Sequence, residues 1–309
     1  MKKVLISTSS FGKADKRSLE LCNENCEVVL NPYGRKLTTE EFIDLTEDVD
    51  AVIAGVENIT KDALIKRPNI KVISRCGVGL DSVDQNACKE LGVKLFNTPN
   101  APVGSVAEMT ITLILNILKN ISNMNGALKQ GQWNKMSGYM LEGKNVGIIG
   151  MGRIGKRVAE LLQPFHVSIA YCDIEDKKND YTYMSKEELL KWADIVTIHT
   201  SNCPENEHII GHEEFNLMKK NAYLVNTSRG RFVDEDALFN ALKESKIAGA
   251  ALDVFQTEPY SGKLKDLDNV ILTPHVSSSA KEGRAVMELE AVFNLLDGLG
   301  ITYDQNNYI

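Results

Sequence analysis

Asn145-Val146-Gly147-Ile148-Ile149-Gly150-Met151-Gly152-Arg153-Ile154-Gly155 is the stretch on which the reading of the fold turns. Its first five residues form a short apolar run of the kind that buries as a parallel strand. The glycines stand at the spacing G-x-G-x-x-G, and a segment of helical period, Lys156 to Phe165, comes next. A second apolar run, Val167 to Cys172, ends in Asp173. In such an arrangement Gly150 permits a tight turn, Gly152 lets backbone approach a pyrophosphate, and Gly155 lets helix and strand pack closely. The helix N-terminus presents unpaired N–H groups to phosphate, and Arg153 and Ile154, within the glycine motif, are expected cofactor-binding residues. Asp173, about twenty residues on, can accept both hydroxyls of an adenosine ribose and would repel a 2′-phosphate. Glycine turns are common. One that follows a strand, opens a helix and has its acid at that distance reads as a dinucleotide site favouring NAD over NADP.

The chain of 309 residues has room for two domains. A net charge of −7 argues against nucleic acid or an anionic membrane as the main partner. Cys22, Cys26, Cys76, Cys88, Cys172 and Cys203 are scattered, with no C-x-x-C pair and no neighbouring histidine cluster. They read as reduced core thiols rather than disulfides or zinc ligands, and no metal is expected. The apolar run at Val4-Leu5-Ile6 stops at Ser7-Thr8-Ser9-Ser10, too soon for a signal peptide, and no run is long enough to span a bilayer. The expectation is a soluble, cytosolic protein.

Strands are expected at Val4–Ile6, Cys26–Leu30, Ala51–Ala54, Ile70–Ser74 and Val93–Phe96, with helical patterns between them such as Thr39 to Leu45. Asn97 to Pro102 reads as a break between domains. Ser105, with Glu108 at the capping-box position, is expected to cap a strongly apolar helix from Val106 to about Ile121. Gln130 to Gly143 is polar and glycine-bearing and reads as a linker. Beyond Asp173 the alternation resumes: a helix from Ser185, strands at Ile195–His199 and Ala222–Asn226, a helix Glu235–Glu244, and strands at Ala248–Val254 and Val270–Thr273. A last helix, about Ser279 to Leu296, leaves too few residues for a further domain. The predicted class is α/β, with two doubly wound, parallel-sheet domains. The predicted division is 1–98 with 284–309 for one domain and 99–283 for the other.

Gly77-Val78-Gly79-Leu80-Asp81-Ser82 nearly repeats the glycine motif, but Ser82 replaces its third glycine and the next strand ends at Asn97-Thr98 rather than at an acid. A second nucleotide site is therefore rejected. Its backbone N–H groups could still hold a small anion such as a carboxylate, and on spacing alone a plain turn is as good a reading.

In doubly wound sheets ligands gather at the carboxyl ends of the strands. Arg229, Glu258 and His275 each lie just past such an end or in the loop that follows. Oxidising a hydroxyl needs a base for its proton, and histidine suits that at neutral pH. A carboxylate would orient the imidazole, and an arginine could clamp a substrate carboxylate. Taken singly each residue is more often structural; their shared position raises the odds. His199 ends a strand, where adenine contact is more plausible than catalysis.

Arg75 to Asp81, Ser105 to Glu108, Gly150 to Gly155, Asn226 to Gly230, Asp253 to Pro259 and Thr273-Pro274-His275 together resemble the D-2-hydroxyacid dehydrogenase family over nearly the whole chain. The resemblance implies a Rossmann-type nucleotide domain and a flavodoxin-like substrate domain, an active site in the cleft between them, and a homodimer formed through the nucleotide domain. It places the catalytic roles on Arg229, Glu258 and His275. It places nicotinamide-amide contact on Asp253 and carboxylate-binding backbone on Val78 and Gly79. His199, Thr200, Ser201, Thr227, Ser228, Ser277 and Ser278 fall on the family's cofactor wall.

The chain also departs from the family pattern. Ser277 and Ser278 stand where glycines are frequent, Ser201 where proline is usual, and Ala54 to Asn58 holds no basic residue for a phosphate. Arg75 does match an arginine that some phosphate-binding members carry. Three readings follow. The substrate is 3-phosphoglycerate, as in serine biosynthesis, or an unphosphorylated acid of the hydroxypyruvate or glyoxylate kind, or the chain is an NADH-sensing binding protein on the same fold. A short-chain dehydrogenase is excluded, because no Tyr-x-x-x-Lys follows the glycine motif.

Overall fold

The computed structural model describes residues 1–201, 204–305 and 308. The chain divides into two compact units, Met1–Pro102 with Ser279–Ile309, and Val103–Ser278.

The first unit is built on five strands: β1 (Lys2–Ile6), β2 (Cys26–Leu30), β3 (Ala51–Ala54), β4 (Val72–Arg75) and β5 (Lys94–Asn97). All pair in parallel, in the order β2-β1-β3-β4-β5, which is the flavodoxin-like arrangement. Successive residues bury on opposite faces. Val4, Ile6, Ala51, Ile53 and Val72 pack under helices Arg17–Asn25 and Lys281–Leu299. Leu5, Val52 and Ile73 pack under Thr39–Leu45, Lys61–Lys66 and Gln85–Leu91. Burial on both faces explains why these strands read as unbroken apolar runs rather than alternating ones.

The second unit carries β6 (Asn145–Ile149), β7 (Ser168–Cys172), β8 (Thr182–Tyr183), β9 (Ile195–Ile198), β10 (Tyr223–Asn226), β11 (Gly249–Leu252) and β12 (Val270–Leu272). Their parallel order, β12-β11-β10-β9-β6-β7-β8, reverses direction at β6, as in a Rossmann sheet. Helices Val103–Lys119 and Arg153–Leu162 cover the face bearing Val146, Ile148 and Val225. Lys186–Trp192, His212–Leu217 and Glu235–Lys243 cover the face bearing Ile149, Val196 and Leu224.

One expected boundary moves. The apolar helix begins at Val103, so Ser105 lies inside its first turn rather than capping it. Pro102 immediately precedes the helix and pre-sets the backbone for it. The apolar stripe begins only at Val106, and periodicity reports that stripe, not the first helical residue. The helix at Thr39–Leu45 has the expected bounds and is capped by Thr38, in a capping box with Glu41. Ser185 and Glu188 form the capping box that the sequence suggests.

Candidate active site

The glycine turn joins β6 to helix Arg153–Leu162, and its three glycines differ in what they permit. Gly150 has φ of +96°, and a Cβ there would lie 2.6 Å from the amide N of Thr200. At Gly155 a Cβ would lie 2.1 Å from the carbonyl oxygen of Gly150. Gly152 is the contrast: a Cβ there meets nothing within 4 Å. No protein atom demands glycine at that position, so the open space is available to a ligand. The helix starts without a side-chain cap, which leaves the first-turn amides around Arg153 and Ile154 for an anion.

Asp173 follows β7 and faces the same turn. One carboxylate oxygen accepts from the amide of Met151 at 2.8 Å, the other from the amide of Ile174 at 2.8 Å, with Lys177 Nζ 3.4 Å away. A carboxylate has about four acceptor positions, so it can still take ribose hydroxyls. Open space at Gly152, an uncapped helix start and this acid fit the pyrophosphate and ribose of a dinucleotide.

Thr200 and Ser201 follow β9. Buried Asn206 pins them, its Nδ2 donating to Thr200 Oγ1 (2.9 Å) and the Ser201 carbonyl (2.8 Å). Cys203, in the same loop, lies outside the described residues. His199 is buried, its Nε2 2.9 Å from Thr197 Oγ1 and its Nδ1 without a partner among the described residues. Burial lowers its pKa to about 3, so the ring is neutral at physiological pH. Thr227 and Ser228 spend their hydroxyls inside the protein, on Thr110 Oγ1 (3.0 Å) and the Ile198 carbonyl (2.7 Å) respectively.

The Arg229, Glu258 and His275 loops are tied together by contacts that motif spacing does not show. Fully buried Asn226, the last residue of β10, shapes the arginine turn. Its Nδ2 donates to the Arg229 carbonyl at 2.8 Å and its Oδ1 accepts from the Ser228 amide at 3.0 Å. The next residue, Gly230, lies against backbone: a Cβ there would fall 1.8 Å from the carbonyl carbon of Phe255. The amide of Phe255 donates to Glu258 Oε1 at 3.1 Å, and Glu258 Oε2 lies 2.8 Å from His275 Nδ1. With Nδ1 held by the carboxylate, Nε2 is the nitrogen left for a substrate proton. Asp253 is fully buried and takes Thr273 Oγ1, the Val276 amide, and both the amide and hydroxyl of Ser277. Ser278, the residue after Ser277, is half-buried. Asn206 and Asn226 were not singled out from sequence; a polar residue closing a buried strand was the signal for Asn226.

In the first unit, Arg75 ends β4 and its Nη1 donates to the Cys76 carbonyl at 2.7 Å. Gly77, at φ of +144°, makes room for that guanidinium: a Cβ would fall 1.1 Å from Arg75 Nη1. Val78 is exposed and Gly79 half-buried, and Asn97 Nδ2 donates to the Val78 carbonyl at 2.7 Å, tying the turn to the end of β5. Among the described residues no three His, Cys, Asp or Glu side chains gather as a metal ion would require.

A Rossmann sheet with this turn and acid is the architecture of a dinucleotide-binding domain. Comparison with known proteins makes that specific. Residues 111–277 match the family model described as D-isomer specific 2-hydroxyacid dehydrogenase, NAD binding domain. A D-3-phosphoglycerate dehydrogenase from Methanocaldococcus jannaschii is 42% identical over 80% of this chain. The chain spans about half the length of that relative, 49%. A glyoxylate reductase from Thermofilum pendens is 38% identical over 90% of this chain and 87% of its own. Among solved structures, the TT0316 protein from Thermus thermophilus superposes with a TM-score of 0.90 at 33% identity, covering 96% of this chain and 97% of its own. The chain belongs to the D-isomer-specific 2-hydroxyacid dehydrogenase family, and its cofactor is NAD.

Gly152→Ala is expected to leave the melting temperature unchanged, because its methyl group meets open space. Fluorescence titration should show NADH binding weakened by roughly tenfold or more if the pyrophosphate occupies that space. A methyl group tolerated without loss of affinity would place the dinucleotide elsewhere.

His199 generates a second expectation. Its folded pKa, about 3, lies below the ordinary histidine value of 6.5, so between those two values the unfolded chain binds a proton that the fold refuses. The stability it contributes is complete above pH 6.5 and is lost as pH falls towards 3. Urea midpoints measured at about pH 7 and about pH 5 should fall more for wild type than for His199→Gln, which carries no titrating ring.

Proposed function

We propose that the protein interconverts a D-2-hydroxyacid and its 2-oxoacid, and that the acid is small and unphosphorylated, of the glyoxylate or hydroxypyruvate kind. The contact that carries the reading is Glu258 Oε2 to His275 Nδ1 at 2.8 Å, with the Arg229 turn packed on the same Phe255 backbone that anchors Glu258. When bound, NADH supplies the hydride. The chain's own residues do the rest. Arg229 grips the substrate carboxylate in a bidentate pair and draws electron density from the neighbouring carbonyl. His275 Nε2 gives its proton to the carbonyl oxygen during reduction and takes it back during oxidation. Glu258 stabilises the imidazolium and fixes its tautomer. The Val78–Gly79 turn of the first unit keeps its proposed role as an anion-binding backbone.

The case against phosphate comes from the first unit. β1 and β3 are neighbours from which the chain winds in opposite directions, which makes their carboxyl ends the switch point of that sheet. Glu57 is buried there, accepting from Ser7 Oγ and from the Gly55 amide at 3.0 Å, and no Lys or Arg lies between Ala54 and Asn58. A carboxylate raises the energy of a phosphate dianion placed beside it. The glyoxylate reductase relative, matched over nearly its whole length, supports the same reading. A place in serine biosynthesis belongs to the phosphorylated substrate and is set aside with it. Cytosolic residence goes with the five described cysteines, all free and buried. Among the described residues no helix is long and apolar enough to cross a membrane.

With NADH, kcat/KM for glyoxylate and hydroxypyruvate should exceed that for 3-phosphohydroxypyruvate by roughly tenfold or more. A preference for the phosphorylated acid would overturn the substrate class. In His275→Asn, kcat should fall by about a hundredfold or more while NADH still binds. NADH binding without turnover of any 2-oxoacid by wild type would favour a sensing protein instead.

The second unit also supports a homodimer. Helix Ile121–Lys129 has no buried residue, and Ile121, Leu128, Trp133, Met136, Tyr139 and Met140 are all exposed. So much apolar surface on one stretch is expected to be covered by a second copy of the chain. Light scattering should give a dimer mass for wild type and a monomer for Trp133→Glu combined with Met140→Glu; a wild-type monomer would remove the inference.

A further inference from the structure

We infer that Asp253 is a positioning residue that clamps the backbone on both sides of His275, and that Ser277 is part of the clamp; the inference rests on the role proposed for His275. Asp253 lies just past β11 and Thr273 just past β12, neighbouring parallel strands in the register Ala250↔Val270, Ala251↔Ile271 and Leu252↔Leu272. The amide of Asp253 donates to the Asn226 carbonyl and that of Thr273 to the Leu252 carbonyl, both at 2.9 Å, so the ladder continues to the clamp. The carboxylate therefore stands on a rigid base.

From that base it reaches across His275. Oδ1 accepts from Thr273 Oγ1 (2.6 Å), two residues before the histidine, and from the Val276 amide (2.9 Å), one residue after it. Oδ2 accepts from the Ser277 amide (2.8 Å) and the Ser277 hydroxyl (2.5 Å). An ionised carboxylate offers about four acceptor positions, and these four donors fill them. Asp253 is wholly buried besides.

His275 itself explains why a clamp is needed. Its φ is +53°, in the left-handed region that side-chain-bearing residues rarely adopt. Left alone, the segment would relax to negative φ and carry the imidazole away from Glu258. Two carboxylates thus divide the work: Glu258 orients the ring, and Asp253 holds the backbone conformation that presents it. Glycine at 277 would keep the amide donor but lose the hydroxyl, so Ser277 gives this chain the fourth hydrogen bond of the set.

Five variants test this: Asp253→Asn, Thr273→Val, Ser277→Gly, Ser277→Thr and His275→Asn, each read for amide hydrogen exchange of residues 273–277 without cofactor, NADH affinity, and kcat for 2-oxoacid reduction. In Asp253→Asn the Val276 and Ser277 amides should exchange roughly tenfold faster or more, and kcat should fall by about tenfold or more, with NADH affinity held within about twofold. Ser277→Gly and Thr273→Val should show the same pattern several-fold weaker, and Ser277→Thr, which keeps the hydroxyl, should restore it. Weakened NADH affinity with unchanged exchange in Asp253→Asn would overturn the clamp in favour of direct cofactor contact. Should Asp253→Asn not fold, wild-type exchange and kcat in both Thr273→Val and Ser277→Gly would overturn it equally. Full turnover by His275→Asn would sink the role of the histidine instead, while the exchange measurements would still decide whether Asp253 holds the segment.

Discussion

Backbone running against backbone without an intervening Cβ is the constraint on which the second unit's site depends. It occurs at Gly150 against His199 and Thr200, at Gly155 against Gly150, and at Gly230 against Phe255 and Gln256. At each place a methyl group would fall within 2.7 Å of main-chain atoms, which cannot swing aside as a side chain can. The first two contacts set the glycine turn on the end of β6 and against the loop after β9. The third presses the Arg229 turn onto the segment that feeds Glu258. One kind of contact therefore shapes both the expected nucleotide cradle and the expected chemical end. Packing this close leaves loops few alternatives, and positioning groups before substrate arrives contributes much of catalysis.

The parallel sheets were legible because both of their faces are covered. A strand such as Asn145–Ile149 has no solvent face to interrupt its apolar run, and the glycine turn after it punctuates the boundary. The positions of Arg229, Glu258 and His275 past strand ends were legible for the same reason. β8 was not, since Thr182 and Tyr183 are exposed residues at the sheet edge with no apolar pattern to announce them. Helix Ile121–Lys129 was hidden similarly, because it buries none of its residues. Ser105 misled in the opposite direction: a good capping residue sat where the backbone was already helical.

The site was less legible than the fold because spacing gives positions but not partners. For Asp253 the family resemblance implies a nicotinamide-amide contact and says nothing of protein partners. Only the register of β11 and β12 brings Thr273, Val276 and Ser277 across to it. Ser277, which the family resemblance places on the cofactor wall, turns its hydroxyl to Asp253. Asn226 is the same case in reverse: a residue within a recognised motif whose amide, by bonding both Ser228 and Arg229, does the shaping. Side-chain hydrogen bonds between loops of distant sequence are set by tertiary register, and no local pattern encodes them.

Asp173 shows how such partners refine a conclusion drawn from charge alone. From its position in the sequence, the carboxylate is expected to repel a 2′-phosphate. In the structure Lys177 lies 3.4 Å from one oxygen, a cation that opposes that repulsion. The ammonium is shared with Glu175 at 3.1 Å, and its side chain is 31% exposed, so water screens its pair with Asp173. The backbone bonds matter more. Amides of Met151 and Ile174 hold the two oxygens in place, one from the glycine turn and one from the end of β7. An acceptor fixed in this way can receive ribose hydroxyls without reorganising, whereas a 2′-phosphate would have to displace it against both bonds. The preference for NAD expected at Asp173 thus draws on a rigidly placed acceptor as well as on its charge, and a neighbouring lysine screened by water is not expected to reverse it.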